Sequence, residues 1–180
     1  MITVETASKS HMKLTTFCLL VFLVAPALCE AQRAVILVRH AEKRYNSDDP
    51  ATPLSDQGDA RAQALADLLK DAGITAIYST RTIRTMRTAA PLAKQLGLKV
   101  TLADQRDPKE LVDRIRKEQP NGVVLIVGHA NTVPQMLRVL GDTEDVGIPA
   151  HEFDNLFVVI PNGSAKPTVL RLRYPIREAH

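Results

Sequence analysis

The sequence predicts an α/β protein, a three-layer α/β/α sandwich around a mostly parallel, mixed sheet. Uncharged runs rich in β-branched side chains recur at 34–38, 74–78 and 123–127, and such runs suit strands buried on both faces. Between them lie segments whose apolar residues repeat every three to four positions, the spacing of a helix with one buried face. The links are short, so strand and helix alternate, and that order builds parallel strands joined by crossover helices.

The elements follow in order. After the first run, Ala34 to Val38, a polar loop from Glu42 to Pro53 carries two prolines. Ser55 is expected to cap a helix with Ala62, Leu65, Ala66, Leu68 and Leu69 on one face, ending near Gly73. Ile74 to Tyr78 is a second strand, and the polar burst from Ser79 to Thr88 leads into a helix closed by Gly97. Leu98 to Leu102 reads as a third strand, and Asp107-Pro108 opens a helix over Lys109 to Glu118. Asn121-Gly122 turns the chain into Val123 to Val127, followed by Gly128-His129 and a helix closed by Gly141. Asn155 to Ile160 and Thr168 to Leu172, joined through Pro161-Asn162-Gly163, break the alternation and read as an antiparallel pair, hence a mixed sheet.

Residues 1–11 read as an expression leader. Residues 12–31 read as a secretory signal, with Lys13 as a minimal basic start, an apolar run from Phe17 to Val24, and small residues before a cut after Ala31. That run is well short of the roughly 20 residues that span a bilayer, so no stable membrane association is expected after cleavage. Cys29 could instead be lipidated, although Leu28 fits poorly before it. Both cysteines, Cys18 and Cys29, fall in this segment, so 32–180 is expected to be a single domain without a thiol, located in the periplasm or secreted. The formal charge of +3 is scattered and tryptophan is absent, which gives no argument for nucleic acid.

Three inner strands run into cationic or titratable residues: Arg39-His40, then Arg84 shortly after Tyr78, then His129. In a parallel sheet the carboxyl ends share one edge, so these residues are expected to meet in one crevice. Two guanidinium forks and two imidazoles there suit an anion carrying phosphate-like oxygens, and helix amino-termini after Thr80 and Asn131 would add backbone donors. Taken singly, each of these residues is as well explained by a surface pair or a core histidine; their equivalent positions raise the functional reading.

Four spaced motifs resemble the histidine phosphatase superfamily, also called phosphoglycerate mutase-like. Arg39-His40-Ala41, with Glu42 and Asn46 behind it, resembles its strand followed by Arg-His-Gly. Leu54-Ser55-Asp56-Gln57-Gly58 is similar to its Leu-Thr-x-x-Gly helix start. Tyr78-Ser79-Thr80 through Arg84 to Thr88-Ala89 resembles its second arginine element, and Gly128-His129-Ala130-Asn131-Thr132 its Gly-His-x-x-Thr signature. The resemblance covers residues 34 to about 160 and implies a phosphoglycerate mutase-like fold. It implies that His40 is the nucleophile, that Arg39, Arg84 and His129 hold the phosphoryl oxygens, and that Asn46 and Thr132 make secondary substrate contacts. It also implies no metal and no cofactor. Arg81 and Arg87 are expected on the helix surface.

The expected activity is hydrolysis of a phosphomonoester, from a small phosphorylated substrate or a phosphorylated surface glycan, through a phosphohistidine. The alternatives are a phosphohistidine-protein phosphatase and a non-catalytic phosphate or phosphoglycan binder. Alanine stands at position 41 in place of the family's glycine. The stretch from Gln95 to Gly122 is too short for the segment that carries a glutamate proton donor in larger members. By chemistry alone, Glu42, Asp104, Glu110, Glu152 and Asp154 are candidates for that role.

Overall fold

The computed structural model describes residues 33–104 and 106–176. The readings of residues 1–31 as leader and signal therefore lie outside the described residues. The elements are β1 (Ala34–Arg39), α1 (Asp56–Leu69), β2 (Ile74–Ser79), α2 (Ile83–Leu96), β3 (Val100–Leu102), α3 (Pro108–Glu118), β4 (Val123–Gly128), α4 (Thr132–Leu140), β5 (Asn155–Asn162) and β6 (Ala165–Arg173). They form one six-stranded sheet in the order β3-β2-β4-β1-β5-β6. The first four of these are mutually parallel, β5 runs antiparallel to β1, and β6 antiparallel to β5. The predicted mixed α/β sandwich is what the chain forms.

Side-chain alternation along the central strands divides the core into two layers. Val35 and Leu37 of β1, with Val124 and Ile126 of β4, point toward α3 and α4, where they meet Leu111, Ile115, Met136 and Leu137. Ile36, Val38, Leu125 and Val127 point the other way, against Leu65, Ala66, Leu92 and Ala93 of α1 and α2. Because both faces are covered, β4 is buried along its whole length, which is why its sequence reads as an unbroken apolar run.

Two boundaries differ from the sequence reading. The third strand starts at Val100 rather than Leu98, because Gly97, at φ 66°, closes α2 and the N–H of Leu98 bonds back to the Ala93 carbonyl. That amide is spent on the helix end, and the Leu98 side chain packs into the core beside α2. The final hairpin is longer than predicted: Asn162 pairs with Ala165, so the turn takes only two residues, with Gly163 at φ 53°, and Pro161 stays within β5.

Gly58 in the first turn of α1 lies against the loop that follows β1. A Cβ there would stand 2.2 Å from the Glu42 carbonyl oxygen, so the position admits no side chain without moving that loop. The loop begins two residues after His40, which makes Gly58 one of the residues that position the carboxyl end of β1.

Candidate active site

Parallel pairing places Arg39 opposite Gly128 and Ser79 opposite Val127, so the carboxyl ends of β1, β2 and β4 form one edge. A pocket of about 460 Å³ opens there, lined by Arg39, His40, Arg84 and His129, with Lys43 and Asp48 from the loop after β1 and Ala130-Asn131 before α4. Larger surface depressions, of about 650 Å³ over α3 and about 600 Å³ between α1 and residues 173–176, contain no histidine. The four residues expected to meet do meet.

His40 is buried, and its Nδ1 lies 2.7 Å from the Ala41 carbonyl oxygen. A carbonyl can only accept, so Nδ1 carries the hydrogen and the lone pair of a neutral ring sits on Nε2. Burial first, then the charges of Arg39 and Arg84 and the adjacent His129, push the His40 pKa down to about 3. The ring is thus neutral across the physiological range. Ala41 is fixed in turn: its N–H donates to Thr88 Oγ1 at 3.0 Å, and that hydroxyl donates to the Arg84 carbonyl at 2.7 Å. Thr88 joins the nucleophile strand to the helix that carries Arg84.

The two guanidinium groups are each anchored by one terminal nitrogen. Arg39 Nη1 donates to the carbonyls of Pro149, Ala150 and Glu152 at 3.0, 2.9 and 2.9 Å, and the Phe153 ring lies 4.1 Å from its Cζ. Arg84 Nη1 donates to the Asp49 carbonyl at 3.1 Å. Among the described residues the Nε of each is buried without a hydrogen-bond partner. Such an orphaned donor costs about 1–3 kcal/mol, so the fold retains both groups at a cost in stability.

The His129 ring centroid is 5.4 Å from that of His40, and its Nε2 is 2.9 Å from Thr80 Oγ1. Burial, followed by the nearby charges of Arg84, Arg39 and Lys43, lowers its pKa to about 4. The predicted helix start after Thr80 is displaced: Thr82 caps α2 by accepting from the Thr85 N–H, and Thr80 faces His129 instead.

The expected secondary contacts are placed differently. Asn46 is exposed and does not line the pocket; the tethers of its loop, Lys43 to the Ser47 carbonyl and Arg84 to the Asp49 carbonyl, hold the residues after it. Thr132 lies at the start of α4, where its hydroxyl accepts from the His129 N–H at 2.9 Å and shapes the turn after β4. Of the other arginines, Arg87 pairs with Asp59 of α1 at 2.7 Å and Arg81 is exposed.

Nor do the carboxylates singled out by chemistry line the pocket. Glu42 is held by Arg61 through Nε and Nη2 at 2.9 and 2.7 Å, nearly buried beside Tyr174. Asp104 pairs with Arg106, Glu110 is exposed on α3, and Glu152 and Asp154 pair with Arg173 at 2.7 and 2.5 Å. Among the described residues the carboxylate that lines the pocket is Asp48, 3.4 Å from Lys43 Nζ. Neither residue carries a motif signal. Their shared place in a loop tethered at both ends could be read only from the fold.

Replacing Arg61 by methionine removes the partner of a nearly buried carboxylate. The expected loss is about 3–5 kcal/mol of folding stability, read from the urea midpoint, and adding Glu42→Gln is expected to restore most of it.

Residues 35–107 match the histidine phosphatase superfamily, branch 1. The matched span contains Arg39, His40 and Arg84, whereas His129 lies beyond it and joins them through the pairing of β1 with β4. Solved structures share the fold. A mycobacterial glucosyl-3-phosphoglycerate phosphatase superposes with a TM-score of 0.64 at 15% identity, covering 79% of this chain and 98% of its own. The protein histidine phosphatase SixA, complexed with tungstate, gives 0.64 at 18% identity over 78% and 96%. Bacillus stearothermophilus YhfR gives 0.64 at 15% identity over 77% and 95%. No curated protein sequence matches the chain.

Proposed function

We propose that this chain is a metal-independent phosphatase that hydrolyses a phosphomonoester through a phosphohistidine on His40. The observation that carries the reading is the short contact between His40 Nδ1 and the Ala41 carbonyl, which leaves the Nε2 lone pair to attack in a pocket of fixed cations. Nε2 attacks phosphorus, the bond to the leaving oxygen breaks, and the charge spread over the remaining phosphoryl oxygens is met by Arg39, Arg84 and His129. The orphaned Nε donors of the two arginines are groups that a phosphoryl oxygen would satisfy. Water then attacks phosphorus and gives up a proton to solvent, the P–N bond breaks, and its electron pair returns to Nε2. Release of phosphate from a generic aryl phosphate by the intact protein, compared with a His40 variant, tests the reading.

The leaving alkoxide of an alkyl phosphate needs a proton, and we assign its delivery to Asp48, the carboxylate at the pocket. Asp48→Asn is expected to lower hydrolysis of glycerol 2-phosphate by about 10²-fold while changing 4-nitrophenyl phosphate by less than about threefold, since nitrophenolate leaves without help. Equal losses on both substrates would remove Asp48 from that role.

The fold shared with SixA supports a second reading, a phosphohistidine-protein phosphatase, whose leaving imidazole needs no strong acid. The cleavable leader read over residues 12–31 and the cysteine-free sequence from 32 onward support the phosphomonoester reading in a periplasmic or secreted single-domain protein acting on a small phosphorylated substrate or a surface glycan.

A further inference from the structure

The hydroxyls beside His129 form a chain whose donors and acceptors can be counted. Four oxygens surround Thr85 Oγ1: the carbonyls of Thr80 and Thr82 at 3.1 and 3.0 Å, and the hydroxyls of Thr80 and Thr82 at 2.8 and 2.9 Å. Carbonyls can only accept, and the Thr85 hydroxyl lies within reach of both, so we place its single hydrogen on them. With that hydrogen on the carbonyls, both neighbouring hydroxyls donate to Thr85, because two hydroxyl oxygens at 2.8 Å without a hydrogen between them repel. The Thr80 hydrogen is therefore spent on Thr85, and toward His129 the Thr80 oxygen can only accept. Its partner, Nε2 at 2.9 Å, must carry a hydrogen, and Nδ1 is the ring nitrogen without a hydrogen bond among the described residues.

We propose that Thr80 is a positioning residue that locks the His129 proton on Nε2, so that His129 can donate to an anion from Nδ1 only by taking up a second proton as the anion binds. The inference rests on the pocket being a phosphoryl site. In the empty pocket a neutral His129 presents a lone pair at Nδ1, which repels phosphoryl oxygens. Arg39 and His40 from β1, Lys43 and Asp48 from the following loop, and Arg84 from α2 line the same pocket. The cations among them favour the neutral ring while the pocket is empty, and an arriving dianion offsets them. Anion affinity should then fall as pH rises, because above the free pKa each binding event must draw a proton from solvent.

The test uses sulfate, which stays a dianion across the pH range and needs no turnover. It is made in a His40→Gln background, so that His129 is the one histidine lining the pocket. Sulfate affinity is expected to fall about tenfold per pH unit between pH 5 and 7, the slope of one linked proton. With Thr80→Val the neutral ring is free to place its hydrogen on Nδ1, and the fall across the whole interval is expected to shrink to about threefold or less, while Thr80→Ser retains the full slope. An undiminished slope in Thr80→Val would overturn the proposal. Long-range proton–nitrogen correlation spectra of the histidine-labelled protein at pH 7, with His129 assigned through His129→Gln, give a second readout that does not depend on any Thr80 variant folding. They are expected to show hydrogen on Nε2, and hydrogen on Nδ1 would overturn the lock. Were sulfate not to bind at all, the phosphoryl-site reading would fall, and the spectra alone would still decide the tautomer.

Discussion

His40→Gln is expected to lower phosphate release by about 10⁴-fold or more, the loss that follows when a covalent step is removed rather than weakened. Glutamine keeps a polar group near the position of Nε2 but offers no basic lone pair, and the two arginines that remain beside it are always charged. Sulfate or phosphate binding should survive, because the orphaned guanidinium donors of Arg39 and Arg84 are untouched. That combination, binding kept and turnover lost, separates a nucleophile from a phosphate-holding residue. Brief incubation of the intact protein with labelled substrate should give an acid-labile phosphoprotein, since protonation of the phosphorylated ring makes imidazole a good leaving group, and His40→Gln should give none. An intact protein that bound phosphate but released none from any ester would support the alternative of a non-catalytic binder.

The sheet was legible because its physics is written locally. A strand covered on both faces must be apolar throughout, and Val123–Gly128 is; a helix on a sheet must be apolar on one side, and Leu111, Val112 and Ile115 are. The convergence of Arg39, Arg84 and His129 on His40 was legible for a topological reason, the shared carboxyl edge of parallel strands. What could not be read is held together by contacts between distant residues that carry no periodic signal. Glu42 follows the nucleophile motif and looks like a catalytic carboxylate, yet Arg61, 19 positions away, turns it into a structural ion pair. Asp48 sits in a loop with no pattern and borders the pocket, its side chain exposed, because Lys43 bonds the Ser47 carbonyl at 2.6 Å and Arg84 bonds that of Asp49. Phe153 stands between two acidic residues with no pattern to mark it, and its place against Arg39 depends on how the chain enters β5. Thr80 looks like a helix start because Ser and Thr commonly cap helices, yet the cap is Thr82, further along the same polar burst.

Acidification is expected to destabilise the protein through the same two histidines that form its site. In the unfolded chain each titrates near 6.5, whereas in the folded protein burial and neighbouring cations hold His40 at about 3 and His129 at about 4. Between pH 6.5 and 4 the unfolded state therefore binds more protons than the native state, so stability rises with pH and is lost as pH falls through this window. Each histidine held neutral over about two units is expected to contribute a loss of about 2–3 kcal/mol, together a substantial fraction of the roughly 5–15 kcal/mol that stabilises a domain. Urea midpoints at pH 7, 5.5 and 4.5 measure it. Carboxylates held low by partners, such as Asp104 beside Arg106 and Glu152 beside Asn155 and Arg173, push in the same direction. The comparison that isolates the histidines is therefore the double variant His40→Gln, His129→Gln, which should be markedly less sensitive to acid above pH 4.5. An equal decline in both proteins would show that the imidazoles are not held neutral by the fold. Sulfate should oppose the loss in the parent protein, because it favours the protonated His129 in the folded state and has no site in the unfolded one. The same linkage ties folding to function: burial, together with the cations that would receive a phosphoryl group, keeps the pocket's imidazoles neutral, and the resulting acid sensitivity would be relieved by the anion the pocket is proposed to bind.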